Sequence, residues 1–496
     1  MNINIIKRFK PIYIFIFILI TGFLLRFYNI NFDDLWIDEI STFWISDTEL
    51  SLKESYLNHK NLEQTPFLFN LIIKIFYEVF GYKIEISRYL PFLFSFLSIL
   101  SVSYLSKLIS KNYGFVFTSF LISYNIFLIG YAQELRVYST LFFFISLSLI
   151  FFLKCTDKYK FSNLLLFNIF TCISVLLHPF SILVLMSYLT VVIFFRKINY
   201  KSLNISLIII TVLSLIFYYH FVKSSIDTPS WILHVDLKFL TNFYFSKFFG
   251  SRLIGMIYLL ILLFLITKFY NKILQNKKIF LFFILLVYSY FFPILYGFFF
   301  NPILVPRYII FILIPIIILI TYFIFELPNI KKNILISLIC IVTLGNLLTE
   351  QTIKQFYKER IVYKPEFNKG LSIIKNSNNK NYSIMVDIVT KEIDNNTWIK
   401  SVKHYLNFLI SKNNLGIIYN EIDKITNEGA WIFCVHDLNH YETWFSSEIS
   451  PEGFYYVKDE IEKPIALKIN CKLPNNLVIQ EVHKLNRLDI ILTSVK

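Results

Sequence analysis

Charged residues are scarce in this chain of 496 residues: only 16% are Asp, Glu, Lys or Arg, whereas 56% are hydrophobic. A soluble domain carries about 25% charged residues, so the composition excludes an ordinary soluble protein. Several apolar runs approach or exceed the ~18 residues that indicate a bilayer-spanning helix. We therefore predict a mainly α-helical, polytopic membrane protein.

Cysteine is also rare, and the five that are present follow no C-x-x-C spacing or other metal-binding pattern. Cys434 and Cys471 lie in the same polar tail and could pair if that tail is extracytoplasmic, a question that the sequence leaves open. The chain also lacks an internal repeat, a Gly/Ser-rich linker and a low-complexity segment.

The net charge of +15 does not indicate nucleic-acid binding, because the Lys and Arg residues lie mostly in short loops between apolar runs. Basic loops are typical of the cytoplasmic side of membrane proteins and of contact with anionic lipid. We therefore expect membrane lipids, and no nucleic acid, among the partners.

Eleven apolar runs predict membrane crossings. They fall near residues 11–28, 88–107, 114–131, 137–153, 162–178, 180–195, 203–221, 251–267, 279–299, 307–325 and 333–349. No signal-peptide cleavage site is evident after the first run, so we predict that it is a retained helix. The basic residues before it place the N-terminus in the cytoplasm, and every cytoplasmic loop predicted by alternation is then basic, as in other proteins of the cell membrane.

Residues 29–87 are predicted to form a long first loop on the outer side. Within it, the run 65–80 is short for a crossing and is interrupted by Lys74 and Glu78. We interpret this run as an amphipathic helix lying on the outer surface. The alternative, a true crossing, would reverse the orientation of everything that follows.

The tail from residue 350 to 496 is polar and contains short β-type runs. The runs are 383–386, 415–419 and 430–435, and a helix is predicted at 397–410. Strand, helix and strand in this order indicate a small α/β domain. An odd number of crossings places it outside, so we predict a transmembrane catalytic domain, 1–349, followed by an extracytoplasmic α/β domain.

Unusual polar residues gather at the helix ends that are predicted to face outside. They are Asp33, Asp34, Asp38 and Glu39 after the first helix, Gln133 to Tyr138 between the third and fourth, His178 and Pro179 between the fifth and sixth, and Pro306, Arg307 and Tyr308 at the start of the tenth. Each group alone has a structural explanation, such as an acidic collar, an interfacial ion pair, a loop histidine or an arginine anchor. Their convergence on one face favours an active site at the membrane surface.

These side chains suit sugar transfer from a polyprenyl-phosphate donor. A carboxylate outside the bilayer can act as a general base on an acceptor hydroxyl, and arginines at the bilayer edge can hold a lipid phosphate by charge-assisted bonds. A phosphate leaving group needs little protonation, so one base is sufficient. The remaining electrostatic task is to stabilise the departing charge.

Several motifs resemble those of GT-C glycosyltransferases, in particular the bacterial RgtA/B/C/D-like members related to protein O-mannosyltransferases and aminoarabinose transferases. The pair Asp38-Glu39 is similar to the acidic pair in their first outer loop. The other similar segments are Gln64-Thr65-Pro66-Phe67-Leu68-Phe69-Asn70-Leu71 with Phe80-Gly81 and Ser87-Arg88-Tyr89-Leu90, then residues 133–139, then Pro306-Arg307-Tyr308. The resemblance covers residues 10–330, and its His-Pro-Pro element differs here, since Gln64-Thr65-Pro66 is followed by Phe67.

The resemblance implies an inverting transferase with the GT-C fold. We hypothesise that Asp38 is the general base and that Glu39 positions the acceptor or a cation. Arg136 and Arg307 would bind the lipid-linked phosphate, and Glu134 would orient Arg136. The full donor and phosphate-binding set is predicted to be Glu134, Arg136, Tyr138, His178, Arg307 and Tyr308, with His178 lining the donor pocket.

The sequence leaves several alternatives open. A divalent cation is one, with only Asp38, Glu39, Glu134 and His178 as ligands. The sugar, hexose or pentose, and the acceptor, a lipid, glycan or protein, are others. A transporter or flippase of lipid-linked sugars is the second function class, although its charges would lie near the midplane, often in repeated halves. A membrane-anchored binding or assembly protein is the third.

Overall fold

The computed structural model describes most of the chain. The described residues are 11–31, 33–63, 65–110, 113–195, 201–226, 244–349, 365–379, 382–389, 395–412, 429–436, 477–485 and 488–495. The basic residues before the first helix, Gln64, the predicted strand at 415–419 and Cys471 lie outside the described residues.

The first 349 residues are mainly helical, and every predicted crossing coincides with one or two helices. In chain order the helices are α1 (Pro11–Phe27), α2 (Ile37–Ile45), α3 (Leu52–Leu62), α4 (Leu68–Phe80), α5 (Tyr89–Lys107), α6 (Gly114–Ser123), α7 (Ile126–Ala132), α8 (Tyr138–Asp157), α9 (Phe161–Leu177), α10 (Ile182–Phe194), α11 (Lys201–Ile226), α12 (Tyr244–Phe249), α13 (Arg252–Lys268), α14 (Tyr270–Gln275), α15 (Lys277–Phe299), α16 (Leu313–Phe325) and α17 (Asn329–Leu347). In the described part of the chain, six helices are long and apolar enough to cross a membrane, or seven if the bent pair α6–α7 is one span. The predicted polytopic, mainly helical membrane protein is confirmed.

Helix α16 lies at the centre of the bundle. All of its residues except Tyr322 and Phe325 are buried, because neighbouring helices surround the most apolar segment of the chain. Its buried hydroxyl, that of Thr321, accepts a hydrogen bond from Thr118 of α6 at 3.1 Å. Such small polar residues let membrane helices approach closely and satisfy one another.

Helices α6 and α7 meet at a bend of 59°. The break leaves the last carbonyls of α6 without partners inside the helix. Arg26 of α1 is completely buried there, and its guanidinium donates to the carbonyls of Ile122 and Ser123 at 2.8 Å each. Asn125 caps α7 by accepting the Leu128 N–H at 3.0 Å. Buried polar side chains therefore replace the backbone bonds that the bend removes.

The first loop contains α2, α3 and α4. Helix α4 occupies the run predicted to be amphipathic: Ile73 and Tyr77 are buried, whereas Val79 is 70% exposed. The Lys74 side chain is also buried and donates to the backbone carbonyls of Asp47 and Leu50, in the turn between α2 and α3. Gly81 ends the helix with φ of +90°, a conformation that favours glycine. This helix is not among those long and apolar enough to cross a membrane.

The tail forms a small α/β domain. Its elements are α18 (Phe367–Asn376), β1 (Ser383–Val389), α19 (Asn395–Lys412), β2 (Gly429–His436), β3 (Leu477–Leu485) and β4 (Leu488–Val495). The strand order is β1-β2-β4-β3, with β1 parallel to β2 and the other pairs antiparallel. Two predicted strands and the predicted helix are confirmed, whereas α18, β3 and β4 were not predicted. Cys434 in β2 is disulfide-bonded.

Candidate active site

Asp38 and two arginines from distant parts of the chain meet at the start of α2. Asp38 lies in the first turn of this helix, and its Oδ2 is 3.9 Å from Nη2 of Arg136 and 3.7 Å from Nη2 of Arg307. The Asp38 side chain is 22% exposed, and the arginines are 11% and 12% exposed. A nearly buried pair of cations thus flanks one carboxylate that is still accessible.

One nitrogen of the Arg136 guanidinium makes several hydrogen bonds that anchor the side chain. Its Nη1 donates to the backbone carbonyl of Asp38 at 2.9 Å, to Oγ1 of Thr42 at 3.1 Å and to Oε1 of Glu63 at 2.6 Å. These bonds fix the guanidinium while Nη2 lies toward the Asp38 carboxylate. The Nε of Arg136 is buried and has no hydrogen-bond partner among the described residues.

Glu63 is a site residue that the sequence analysis missed. It follows α3, and its two oxygens also accept hydrogen bonds from Ser41 at 3.2 Å and Thr65 at 3.1 Å. Burial raises the pKa of Glu63, but the charges of Arg136 and His59 outweigh that effect and lower it below its ordinary value. Glu63 is therefore ionised at neutral pH. The only sequence signal was its position directly before the Gln64-Thr65-Pro66 motif.

Glu134 was predicted to orient Arg136, and the two residues lie in the same turn. Through its backbone carbonyl, Glu134 accepts the Arg136 N–H at 2.8 Å, within the turn that precedes α8. The side-chain contact to the Arg136 guanidinium is made by Glu63. The orienting role of Glu134 stays a prediction, and Glu63 is a second carboxylate placed to orient Arg136.

Glu39 is completely buried in a salt bridge with Arg88. Its Oε1 accepts from Nε of Arg88 at 2.8 Å, and its Oε2 accepts from Nη2 at 2.9 Å. The backbone N–H of Leu135 also donates to Oε1 at 2.8 Å, so this carboxylate ties α2 to the turn before α8. Both oxygens of Glu39 thus have protein partners, and the role predicted for this residue, positioning an acceptor or a cation, stays a prediction.

Aromatic rings surround the other arginine. The Cζ of Arg307 is 5.6 Å from the centre of the Trp36 ring and 5.7 Å from that of Tyr308, distances at which a cation is attracted to a ring face. Tyr308 in turn stacks on Tyr138, with ring centres 6.4 Å apart. The Nε1 of Trp36 is buried and lacks a hydrogen-bond partner within the described ranges.

His178 packs against the same aromatic residues. Its ring centre is 5.1 Å from that of Tyr308 and 6.3 Å from that of Tyr138. The Nδ1 accepts the backbone N–H of Phe180 at 3.2 Å, which assigns the proton to Nε2. Burial and the charges of two arginines lower the pKa of His178 to about 3. A neutral His178 ring therefore packs beside Tyr138 and Tyr308, and its place in the donor pocket stays a prediction.

Solved structures of membrane enzymes share this architecture. The apo oligosaccharyltransferase of Archaeoglobus fulgidus superposes with a TM-score of 0.50 at 11% identity, over 86% of this chain and 70% of that chain. The chain has the GT-C fold. ArnT from Cupriavidus metallidurans, bound to undecaprenyl phosphate, aligns over 97% of both chains at 11% identity with a TM-score of 0.48. No family model and no curated protein matches the chain.

Within this GT-C fold, the Asp38 carboxylate has two cationic neighbours, Arg136 and Arg307. Across the residues that the structure describes, no group of three or more His, Cys, Asp or Glu is arranged to hold a metal.

The Glu39–Arg88 pair gives a test of what holds the GT-C fold together at this site. Arg88→Met leaves the Glu39 carboxylate buried without its partner, so we expect a loss of about 3–5 kcal/mol in stability. Thermal unfolding in detergent measures the loss. Pairing it with Glu39→Leu removes the stranded charge and is expected to restore much of the unfolding temperature. An unchanged unfolding temperature for Arg88→Met alone would contradict the structural role.

Proposed function

We propose that this protein is a glycosyltransferase that moves a sugar from a polyprenyl-phosphate donor to an acceptor hydroxyl on the outer membrane face, with inversion at the anomeric carbon. The observation that carries the proposal is one accessible carboxylate, Asp38, whose Oδ2 lies within 3.9 Å of two arginines. The GT-C fold supports it, because the solved structure with a TM-score of 0.50 is an oligosaccharyltransferase.

The proposed reaction is a single displacement. The Asp38 carboxylate accepts the proton of the acceptor hydroxyl. The acceptor oxygen forms a bond to the anomeric carbon while the bond from that carbon to the phosphate oxygen breaks. The polyprenyl phosphate leaves with the bonding electrons, and Arg136 and Arg307 stabilise its added negative charge. One base and two fixed cations are sufficient for this step.

Two buried donors support a phosphate as the bound group. Arg136 Nε and Trp36 Nε1 have no hydrogen-bond partner in the described part of the chain. Buried donors in native proteins almost always have partners. A phosphate, with several acceptor oxygens and a negative charge, matches these donors and the guanidinium fork of Arg307. In this proposal Tyr138, Tyr308 and His178 form the apolar wall beside the phosphate.

We infer that the protein lies in the cell membrane with its N-terminus in the cytoplasm and its tail domain outside. The basic loops of the predicted topology support this orientation. The disulfide at Cys434 also supports it, since disulfides persist in oxidising compartments. The first loop and the tail, residues 350–496, would then face the acceptor.

A flippase of lipid-linked sugars is the second candidate. The observation that favours it is the bent pair α6–α7, because broken helices line the pathways of many transporters. Against it, the carbonyls at this break already accept hydrogen bonds from buried Arg26. A break whose carbonyls are occupied in this way fits a structural bend better than a transport site.

A transfer assay separates the two candidates. Purified protein in lipid vesicles is given radiolabelled hexosyl- and pentosyl-phosphate polyprenols together with lipid, glycan and peptide acceptors. The proposal expects a labelled acceptor and free polyprenyl phosphate, neither of which should form with Asp38→Asn protein. Movement of the lipid across the vesicle membrane without a labelled acceptor would instead support the flippase.

Arg307 gives a second prediction. Arg307→Ala removes a guanidinium that would bind the phosphate, so the Kd for polyprenyl phosphate is expected to rise by about 10- to 100-fold. Binding of labelled undecaprenyl phosphate to protein in nanodiscs measures the change. Lys272→Ala is the control, because it removes an equal charge from an exposed pair with Glu326. Unchanged affinity in the Arg307 variant would remove this residue from the site.

A further inference from the structure

Helix α19 of the tail domain packs directly against α2, the helix that carries Asp38. Phe43 of α2 is completely buried, and its ring centre is 5.3 Å from that of Phe408 and 6.3 Å from that of Tyr405. Tyr405 is itself completely buried. The tail domain and the first loop therefore share one hydrophobic core.

Polar contacts from the tail domain reach the segment immediately before Asp38. The Tyr405 hydroxyl accepts the backbone N–H of Leu35 at 3.2 Å and donates to Oδ1 of Asp34 at 3.4 Å. Asn368 of α18 donates its backbone N–H to Oδ2 of Asp34 at 2.9 Å and its side-chain amide to Oδ1. Tyr405 and Asn368 of the tail domain thus hold Asp34 and the adjacent Leu35 of the first loop.

The contact of Asp34 with Asn368 and Tyr405, termed the joint, involves a partly buried carboxyl. Burial raises the pKa of the Asp34 carboxyl above its ordinary value, while the hydrogen bonds from Asn368 and Tyr405 and the charge of Arg88 act in the opposite direction. Removing a carboxylate from water costs free energy unless hydrogen bonds replace the lost hydration. Three donor groups on one carboxylate offset part of that cost.

The segment around Asp38 is therefore held from both sides. Glu39 is anchored to Arg88 of the membrane domain, and Asp34 is anchored to the tail domain. Among the residues that the structure describes, the carboxylate of Asp38 itself makes only long contacts, to Arg136 at 3.9 Å and to Arg307 at 3.7 Å. Its position thus depends on the backbone that carries it more than on its own side-chain contacts.

We propose that Tyr405 and Asn368 are positioning residues of the active site, which fix the Asp34–Leu35 segment and thereby the place of the Asp38 carboxylate between its two arginines. The inference rests on the proposed function and extends it: the tail domain completes the active site. A misplacement of about 1 Å in a reacting group can lower a rate by about 10²-fold, so loss of this joint should appear in kcat.

The test uses the full-length protein in nanodiscs. Tyr405→Phe keeps the packed ring and removes the hydroxyl, and Asn368→Ala removes the amide. Each is expected to lower kcat for sugar transfer by about 5- to 20-fold, while the Kd for undecaprenyl phosphate and the unfolding temperature stay near wild type. The matched controls are Tyr382→Phe and Lys369→Ala in the same domain, and both are expected to keep wild-type kcat.

Hydrogen exchange on the same samples gives a readout that does not depend on activity. Tyr405→Phe is expected to speed amide exchange across residues 35–39, because the Leu35 N–H loses its acceptor. Wild-type exchange or wild-type kcat in both variants would overturn the inference, as would a fall in kcat that only follows a fall in unfolding temperature. Wild-type protein that transfers no sugar would overturn the proposed function, and the exchange data would still decide whether the joint fixes the segment.

Discussion

Replacing Asp38 by Asn is expected to lower kcat for sugar transfer by about 10²- to 10⁴-fold, the range over which a positioned general base contributes to catalysis. Asn keeps the shape of the side chain but accepts no proton. The Kd for undecaprenyl phosphate should stay the same or fall, because the variant removes a negative charge from beside Arg136 and Arg307. Initial rates with saturating donor and direct lipid binding measure the two quantities separately.

The control for this variant is Asp33→Asn, which makes the same chemical change in the same loop. It should transfer sugar at close to the wild-type rate, since the hydrogen bond that Asp33 accepts from Arg88 at 3.1 Å is made by its backbone carbonyl, which the substitution keeps. Asp38→Asn protein that binds donor, unfolds at the wild-type temperature and still transfers sugar at the wild-type rate would show that another group is the base.

The membrane domain could be predicted from the sequence because its signal is local. A long apolar run indicates a helix wherever it occurs, and all eleven runs coincide with helices. The bend in the run 114–131 could not be predicted, since no proline marks it. Its stability comes from Arg26, which lies about 97 residues away in the chain and meets the break only in the folded protein.

The candidate site could be predicted in part for the same reason. Arg136 and Arg307 are conspicuous because they stand at the ends of apolar runs. Glu63 lies in a polar loop, where a carboxylate is ordinary, and its importance comes from a contact with Arg136 across 73 positions. Strands β3 and β4 were missed because strand propensity depends on the neighbours in the sheet, and β4 pairs with the distant β2.

Arg136→Gln is the second change with a large expected effect. It removes a cation that would stabilise the departing phosphate, so kcat/KM for the donor is expected to fall by about 10²- to 10³-fold. It also leaves Glu63, which is only 11% exposed, without its charged partner, so the fold should lose about 3–5 kcal/mol. A steady-state assay and thermal unfolding in detergent measure the two effects.

The double variant Arg136→Gln with Glu63→Gln separates these effects, because it removes the stranded charge along with its partner. We expect the double variant to recover much of the unfolding temperature while its kcat/KM stays as low as that of Arg136→Gln alone. If activity returned together with stability, Arg136 would be a structural residue and its assignment to the phosphate would be wrong. A double-mutant cycle completed by Glu63→Gln alone gives the coupling between the two side chains.

The direction in which stability changes with pH tests whether Arg136 controls the charge state of Glu63. In the wild-type protein the pKa of Glu63 is lowered on folding. The charged form therefore stabilises the fold above the unfolded-state pKa of ~4.3. That contribution is lost as the pH falls through the lower, folded-state pKa. In Arg136→Gln the burial of Glu63 is expected to raise its pKa above the unfolded-state value, so acidification from neutral pH toward ~4.3 should stabilise the variant. The difference in unfolding temperature between the variant and the wild type should therefore shrink as the pH falls, and a constant difference would show that Arg136 does not set the charge state of Glu63.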